Sequence, residues 1–338
     1  MTRKPVPVRR WLQLGFAAAS ALTGIHFPRF VQSLADEALL PVARPQEVDA
    51  WLPISSFTSL VYFLKTGIAN TVRPAGLILF SVTLLVALTA RRGFCSWVCP
   101  IGTLSEYAYE LGQRLFKRNF ALPKPLDFLL RSLKYLLLAF FVIVIGRMSA
   151  DALRDFIRSP YNRICDIKMY LMFAPPSLTT CIVVSVLGAL SLLVKNFWCR
   201  YLCPYGALLG LLSVPSPLAV RRAPETCTGC ARCAKACPNR INVHTRTTVR
   251  SPECTACHNC VAACPVPDTL RFGPPSPRHR LSPVGYALII LTALLLIPHA
   301  FRTLGYWESD TPTSVYRRHA RNISAVEHPP VRPTGATQ

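Results

Sequence analysis

Eight cysteines crowd residues 227–265, and their spacing repeats. Cys227, Cys230, Cys233 and Cys237 are followed by Pro238, and Cys254, Cys257, Cys260 and Cys264 by Pro265. Both runs read C-x2-C-x2-C-x3-C-P, a spacing with which thiolates hold [4Fe–4S] cubes. Zinc is the bland alternative, but it takes four ligands, usually as two C-x2-C pairs. Here each pair has become a quartet closed by Cys-Pro, and the quartet is copied in tandem. Disulfides need an oxidised, secreted setting that eight such close thiols do not suggest. The chemistry implied is one-electron transfer at two iron–sulfur centres.

The two runs resemble those of bacterial two-cluster ferredoxins. In such proteins the fourth cysteine of each run ligates the other cluster, because it cannot reach round its own tight loop. The resemblance therefore implies crossed ligation. Cluster I takes Cys227, Cys230, Cys233 and Cys264; cluster II takes Cys254, Cys257, Cys260 and Cys237.

A second constellation repeats elsewhere. The pattern C-x3-C-P-x-G-x-L occurs at Cys95/Cys99 with Leu104 and at Cys199/Cys203 with Leu208. On a helix, positions i and i+4 share a face, so each pair could present two thiolates to one metal. The proline after each second cysteine interrupts helical hydrogen bonding. Four such thiolates fit a third iron–sulfur or other metal centre, or two dithiol couples. The bland reading, four unligated interfacial cysteines, leaves the repeat unexplained.

The elements that must position these cysteines lie in lipid. Of 338 residues, 51% are hydrophobic and 16% charged, and the apolar residues gather into blocks of membrane-spanning length. Five blocks read as spans, at 11–27, 72–90, 129–148, 178–194 and 283–300, with 54–66 as a shorter interfacial or re-entrant helix. Arg131 and Lys134 are expected to snorkel from the third span. Residues 149–176 read as a mixed-charge loop, the stretch after residue 100 as a basic loop, and the tail from Arg302 as extended. The fold class is an all-α polytopic membrane protein of about five transmembrane helices with an inserted small α+β two-cluster domain. Its divisions are a basic N-terminus 1–10, a membrane domain 11–221, the cluster domain 222–272, a linker and fifth span 273–300, and a polar tail 301–338.

Charge gives the orientation. With the N-terminus inside, segments 1–10, 91–134 and 195–280 hold 24 of the 38 Lys and Arg residues, the sense of the positive-inside rule. All twelve motif cysteines then face the reducing cytoplasm, while residues near 160 lie outside. The net charge of +22 reads as this bias plus contact with anionic lipid rather than nucleic-acid binding. The expected location is the bacterial inner membrane, multi-pass, with the clusters on the cytoplasmic side.

The order of span, C-x3-C-P, two spans, C-x3-C-P and a double cysteine run resembles membrane polyferredoxins of the NapH type, over about residues 70–300. These share their core with NosR and CcoG (FixG/RdxA). The resemblance implies an electron relay between the quinol pool or a cytoplasmic donor and a periplasmic or membrane oxidoreductase. A copper or iron reductase, or an assembly factor for a respiratory enzyme, is the alternative. No nucleotide loop, paired-carboxylate site or Ser/His/Asp arrangement marks a site for converting an organic substrate, so no catalytic residue is assigned. Cys165 and Cys181 read as inert thiols, His26 and His299 as interfacial histidines rather than haem ligands, and His258 as a surface residue beside a cluster.

Overall fold

The computed structural model describes residues 6–36, 40, 42–117, 122–276 and 279–329. The ends of the chain, with Arg3 and Lys4 of the basic N-terminus and the last part of the polar tail, lie outside the described residues.

Several of the thirty prolines serve as helix starts, where a missing N–H costs nothing and the fixed φ suits the first turn. Seven of the fifteen helices begin on one. In chain order they are α1 (Pro7–Ala35), α2 (Pro53–Thr66), α3 (Pro74–Ala90), α4 (Phe94–Trp97), α5 (Pro100–Phe116), α6 (Lys124–Arg147), α7 (Ala150–Arg158), α8 (Pro160–Arg163), α9 (Cys165–Phe173), α10 (Leu178–Leu193), α11 (Pro204–Leu212), α12 (Arg232–Ala236), α13 (Asn259–Ala262), α14 (Pro283–Thr303) and α15 (Thr313–Arg321). Strands β1 (Ala219–Arg222), β2 (Thr248–Val249) and β3 (Leu270–Gly273) form one small antiparallel sheet. The protein is therefore mostly helical with a small mixed lobe.

Among the described residues, two helices are long and apolar enough to cross a membrane, Pro125–Arg147 and Pro283–Thr303. The apolar α3 and α10 are shorter, at 17 and 16 residues. Three stretches expected to be loops or extended are helical. After residue 100 comes α5, whose Glu106, Glu110 and Arg114 interleave with apolar residues in an amphipathic helix. Residues 149–176 form α7 to α9, two of them capped by serine: Ser149 Oγ accepts from the Ala152 N–H and Ser159 Oγ from the Asn162 N–H. The tail carries α15, whose Tyr316 is buried.

The chain divides into two compact units. One comprises Met1–Ala19, Thr83–Leu138 and Val186–Leu295 and contains all twelve motif cysteines; the other comprises Ser20–Val82, Ala139–Ser185 and Leu296–Gln338. The second has its own core, with Phe27, Phe30, Leu34, Val48, Ile164, Ile167 and Tyr316 in one buried cluster. Beside it lies a closed ionic network. Arg44 donates to Asp166 (2.6 Å), Gln46 (2.6 Å) and Asp49, while Arg73 donates to Asp49 (2.5 Å), Asp166 (3.1 Å) and the Asn162 carbonyl (2.8 Å). Burial would raise the Asp166 carboxyl, but Arg73 and Arg44 outweigh it and hold its pKa at about 2.

Removing one member of such a buried network strands the others. Asp166→Asn is expected to lower stability by about 3–5 kcal/mol at neutral pH, read as earlier loss of folded protein on heating in detergent. Because the folded pKa is depressed, the carboxylate's contribution is complete above the unfolded value near 4 and is lost as pH falls toward 2. The variant should lack that part of the acid dependence.

Candidate metal centres

The cysteine-rich lobe is built on the sheet, in the order β2-β1-β3. Val220 lies opposite Val249 and Phe272, and all three are buried, making an apolar floor. Each C-x2-C-x2-C loop runs into a short helix, α12 or α13. The loops follow the same path: Gly229 and Ala256 stand at φ 68° and 49°, and Ala231 and His258 at 54° and 60°. A left-handed conformation costs a non-glycine residue roughly 1–2 kcal/mol, yet it recurs at equivalent positions. It curls each loop tightly, and the sulfurs of Cys230 and Cys257 each take a backbone N–H from two residues on, Arg232 and Asn259.

The structure groups the thiols across the two runs. Cys227, Cys230, Cys233 and Cys264 line one cleft of about 330 Å³. Cys237 instead lies with the second run: burial first, then Cys257 and Cys254, push its thiol up to about 12. Cys260 is raised by burial and then by Cys257, Cys254 and Cys237, with Cys233 of the other group last. The first group is the more open, with Cys230 exposed, whereas Cys254, Cys257 and Cys260 are buried.

The four C-x3-C-P cysteines also come together. Cys99 is pushed up to about 12 by burial, then by Cys95, with Cys203 adding to it. Cys199 is raised by burial, then by Cys99, Cys203 and Cys95, and Cys203 by burial and then Cys95. The pairs do not share a helical face as expected. Cys95 sits in the single turn α4 and Cys199 in a widened turn at Trp198–Leu202, while Cys99 and Cys203 are the extended residues that cap α5 and α11. Pro100 and Pro204 thus start new helices rather than break old ones. The motif glycines make room: a Cβ at Gly102 would lie 2.2 Å from the Cys95 carbonyl oxygen, and one at Gly206 2.5 Å from Arg92 Nη2.

One cleft of about 430 Å³ is lined jointly by Cys257 of the lobe and by Cys95 and Cys199, with the buried arginines Arg9 and Arg92 in its wall. Hydrogen bonds hold the two cysteine regions together. Ser96 Oγ donates to the Thr255 carbonyl (2.6 Å) and Trp97 Nε1 to the Ala256 carbonyl (3.0 Å), both inside the Cys254–Cys257 loop. Arg92 Nε donates to Cys95 Sγ (3.3 Å), and its Nη1 reaches toward the Glu253 carboxylate (3.8 Å). Lys134 Nζ donates to both Glu253 oxygens (2.7 and 2.8 Å) and the Tyr135 hydroxyl to one of them (2.8 Å). Lys134 is therefore buried and paired rather than snorkelling. His258 is likewise buried, packed against Trp97, Phe272 and Tyr286; burial, then Arg9, lowers it to about 4, so it is neutral at pH 7.

These donor sets fit iron–sulfur clusters. Buried, crowded thiols resist ionising, and a cationic iron core is what would hold them as thiolates. Arg9 and Arg92 offset the negative charge of such a centre, and the buried Asn196 Oδ1, which lacks a hydrogen bond, faces the same cleft. Among the described residues, no three His, Cys, Asp or Glu side chains converge as one mononuclear ion requires. Arg92, Ser96, Trp97 and Glu253 escape a sequence reading that treats Arg91-Arg92 as a span boundary. The available signal was their position immediately beside Cys95 and Cys254.

A family model described as "4Fe-4S binding domain" matches residues 72–119 and 177–222, one C-x3-C-P motif in each segment. A second, "4Fe-4S dicluster domain", matches residues 219–265. The chain is similar to the electron transport protein YccM of Escherichia coli, with 40% identity over 314 residues, covering 91% of this chain and 87% of the relative. It is 29% identical to the methylamine utilization ferredoxin-type protein MauN of Methylorubrum extorquens (67% of this chain, 71% of the relative). It is 32% identical to the ferredoxin-type protein NapH of Escherichia coli over 46% of this chain and 51% of the relative. No solved structure matches the chain at a significant level.

Proposed function

Because the chain belongs to the NapH-type family of membrane ferredoxin-like proteins and is an iron–sulfur electron-transport protein, we propose that it carries single electrons between a quinol or cytoplasmic donor and a membrane or periplasmic oxidoreductase. Cys227, Cys230, Cys233 and Cys264 would hold one [4Fe–4S] cluster, Cys237, Cys254, Cys257 and Cys260 a second, and Cys95, Cys99, Cys199 and Cys203 a third iron–sulfur centre. Bound clusters supply one-electron storage at potentials tuned by charge, hydrogen bonding and exposure.

The protein's own residues set the order of the sites. Cys230 opens the first group to solvent; Cys257 joins the second to the cleft it shares with Cys95 and Cys199. Ser96 and Trp97 keep that junction fixed through the Thr255 and Ala256 carbonyls, and the surrounding burial excludes water. That shared cleft is the observation that carries the reading, because a relay needs adjacent redox sites whereas a storage or sensing module does not. The reading takes α1, α3, α6, α10 and α14 as five spans. The 17 residues of α3 extend about 26 Å, near the thickness of a bilayer core. The excess of Lys and Arg on the cysteine-bearing segments supports a cytoplasmic position for them.

Counting iron and acid-labile sulfide on anaerobically purified protein tests the assignment. Three cubes give about twelve of each per chain and two give about eight. Cys95→Ser should remove about four irons and leave the signals of the other two centres. Eight irons in the parent protein would turn the C-x3-C-P cysteines into a thiol site, and a colourless, iron-free preparation would refute the proposal.

A further inference from the structure

The cysteine-rich lobe has two unlike sides. Its second cysteine group faces the C-x3-C-P loops and is buried, whereas the first, through Cys230, meets solvent. An electron exchanged with a soluble partner must enter or leave on that open side, and the charge there is one-signed. Residues 219–276 contain eight Lys and Arg against three Asp and Glu. Two of the three acids are already engaged, Glu253 by Lys134 and Asp268 by Arg280.

Arg271 donates to the Ser276 carbonyl (2.6 Å) and Arg222 to the Arg246 carbonyl (3.2 Å), but the arginines also repel one another. Arg221 on β1 is in register with Arg271 on β3, and like charges directly opposite in a sheet are destabilising. Partial burial, and then Arg271 and Arg250, lower the Arg221 pKa. Arg221 Nη1 donates to Thr248 Oγ1 (3.3 Å), but its Nε and Nη2 are buried without a hydrogen-bond partner. Three cations held close together with no acid among them fit carboxylates supplied from outside. The next residue, Arg222, lines the cleft of Cys227, Cys230, Cys233 and Cys264, and the exposed Arg232 adjoins Cys230. Among the described residues, none of Arg221, Arg222, Arg232, Arg250 and Arg271 forms an ion pair.

We propose that Arg221, Arg250 and Arg271, together with Arg222 and Arg232 at the open cysteine cleft, make the lobe a basic docking site for a soluble, acidic one-electron carrier. The proposal rests on the first cysteine group holding a cluster and adds the kind of partner that meets it. A lipid surface is the competing use of basic residues, but a helix or lobe that lies in a membrane interface inserts apolar side chains. Among the described residues between Val214 and Val284, no large apolar side chain is exposed.

The test uses the full-length protein in nanodiscs of phosphatidylcholine, with flavodoxin as the acidic probe and a basic cytochrome c as control. Association of oxidised flavodoxin should weaken steeply with added salt, since exposed charges are screened within a Debye length. The variant Arg221→Ser/Arg250→Ser/Arg271→Ser should bind it about tenfold more weakly at low salt and converge with the parent at high salt. The basic cytochrome should not bind in either case. Reduction of the clusters by flavodoxin hydroquinone should slow in parallel, while reduction by photoreduced deazaflavin, a small reductant with no docking requirement, stays unchanged. Arg271 also bonds the Ser276 carbonyl, so Arg250→Ser alone, at an exposed position, separates binding from folding and should show the same trend. Binding that is insensitive to salt and to the triple substitution overturns the proposal. So does a triple variant that loses adhesion to phosphatidylglycerol vesicles but keeps its flavodoxin binding. Iron content reads the cluster assignment and binding reads the surface, so either can fail without the other.

Discussion

Cys264→Ser and Cys227→Ser are expected to abolish the same cluster, although 37 residues separate them in the chain. Each variant should lose up to about four irons and one set of EPR signals, with the remaining signals matching between the two variants. Cys237→Ser and Cys254→Ser should form the complementary pair. The expectation follows from the cleft lined by Cys227, Cys230, Cys233 and Cys264 and from the crowding of Cys237 against Cys254 and Cys257. Each fourth cysteine stands just before a proline, at the end of its short helix, where the chain has turned toward the neighbouring loop. Ligation of each cube by its own run alone makes the opposite prediction: Cys264→Ser would then match Cys254→Ser. Serine keeps the volume and hydrogen-bonding capacity of the thiol, so a difference between pairs reports ligation rather than a hole in the lobe.

The two quartets and the C-x3-C-P repeat were legible because their geometry is written in short spacings: a loop of two residues between thiols has few ways to fold. The apolar runs around α6 and α14 were legible for a similar reason, since composition alone makes a stretch prefer lipid. What escaped depends on partners far away in the chain. Lys134 within an apolar helix looks like a snorkelling residue until Glu253, 119 positions later, is found beside it. His258 between two cysteines looks exposed until Trp97 and Tyr286 close over it. Helices α5, α7 and α15 were missed for a different reason. Their apolar residues occupy one stripe among charges, and a reading tuned to continuous apolar blocks takes such stripes for loops. The left-handed residues Ala231, Ala256 and His258 carry no signal in their identity, because tertiary demand rather than propensity places them there.

Arg92→Gln should shift the C-x3-C-P centre more than any substitution that spares its cysteines. Arg92 is 3% exposed, donates to Cys95 Sγ and lies between that sulfur and Glu253. Reduction adds negative charge to a cluster, so a buried cation beside a ligating sulfur favours the reduced form, and its removal should lower the midpoint potential. A hydrogen bond from a charged group is worth about 1.5–3 kcal/mol, and a one-electron couple moves 59 mV for each factor of ten. If most of that interaction distinguishes the two oxidation states, the drop is on the order of 60–130 mV. Glu253→Gln should move the same centre the opposite way, because the carboxylate that offsets Arg92 is gone. The double variant should fall between the two, with the difference from additivity measuring their coupling. Arg92→Lys retains charge but loses the rigid fork that reaches Cys95 and the Pro252 carbonyl together. It should recover only part of the potential. Potentiometric EPR titration reads all four variants, and the centre proposed at Cys227, Cys230, Cys233 and Cys264 serves as the internal reference whose potential should stay fixed. If all centres move together, Arg92 acts through the fold, and if none moves, the guanidinium fills space beside the sulfur without tuning it.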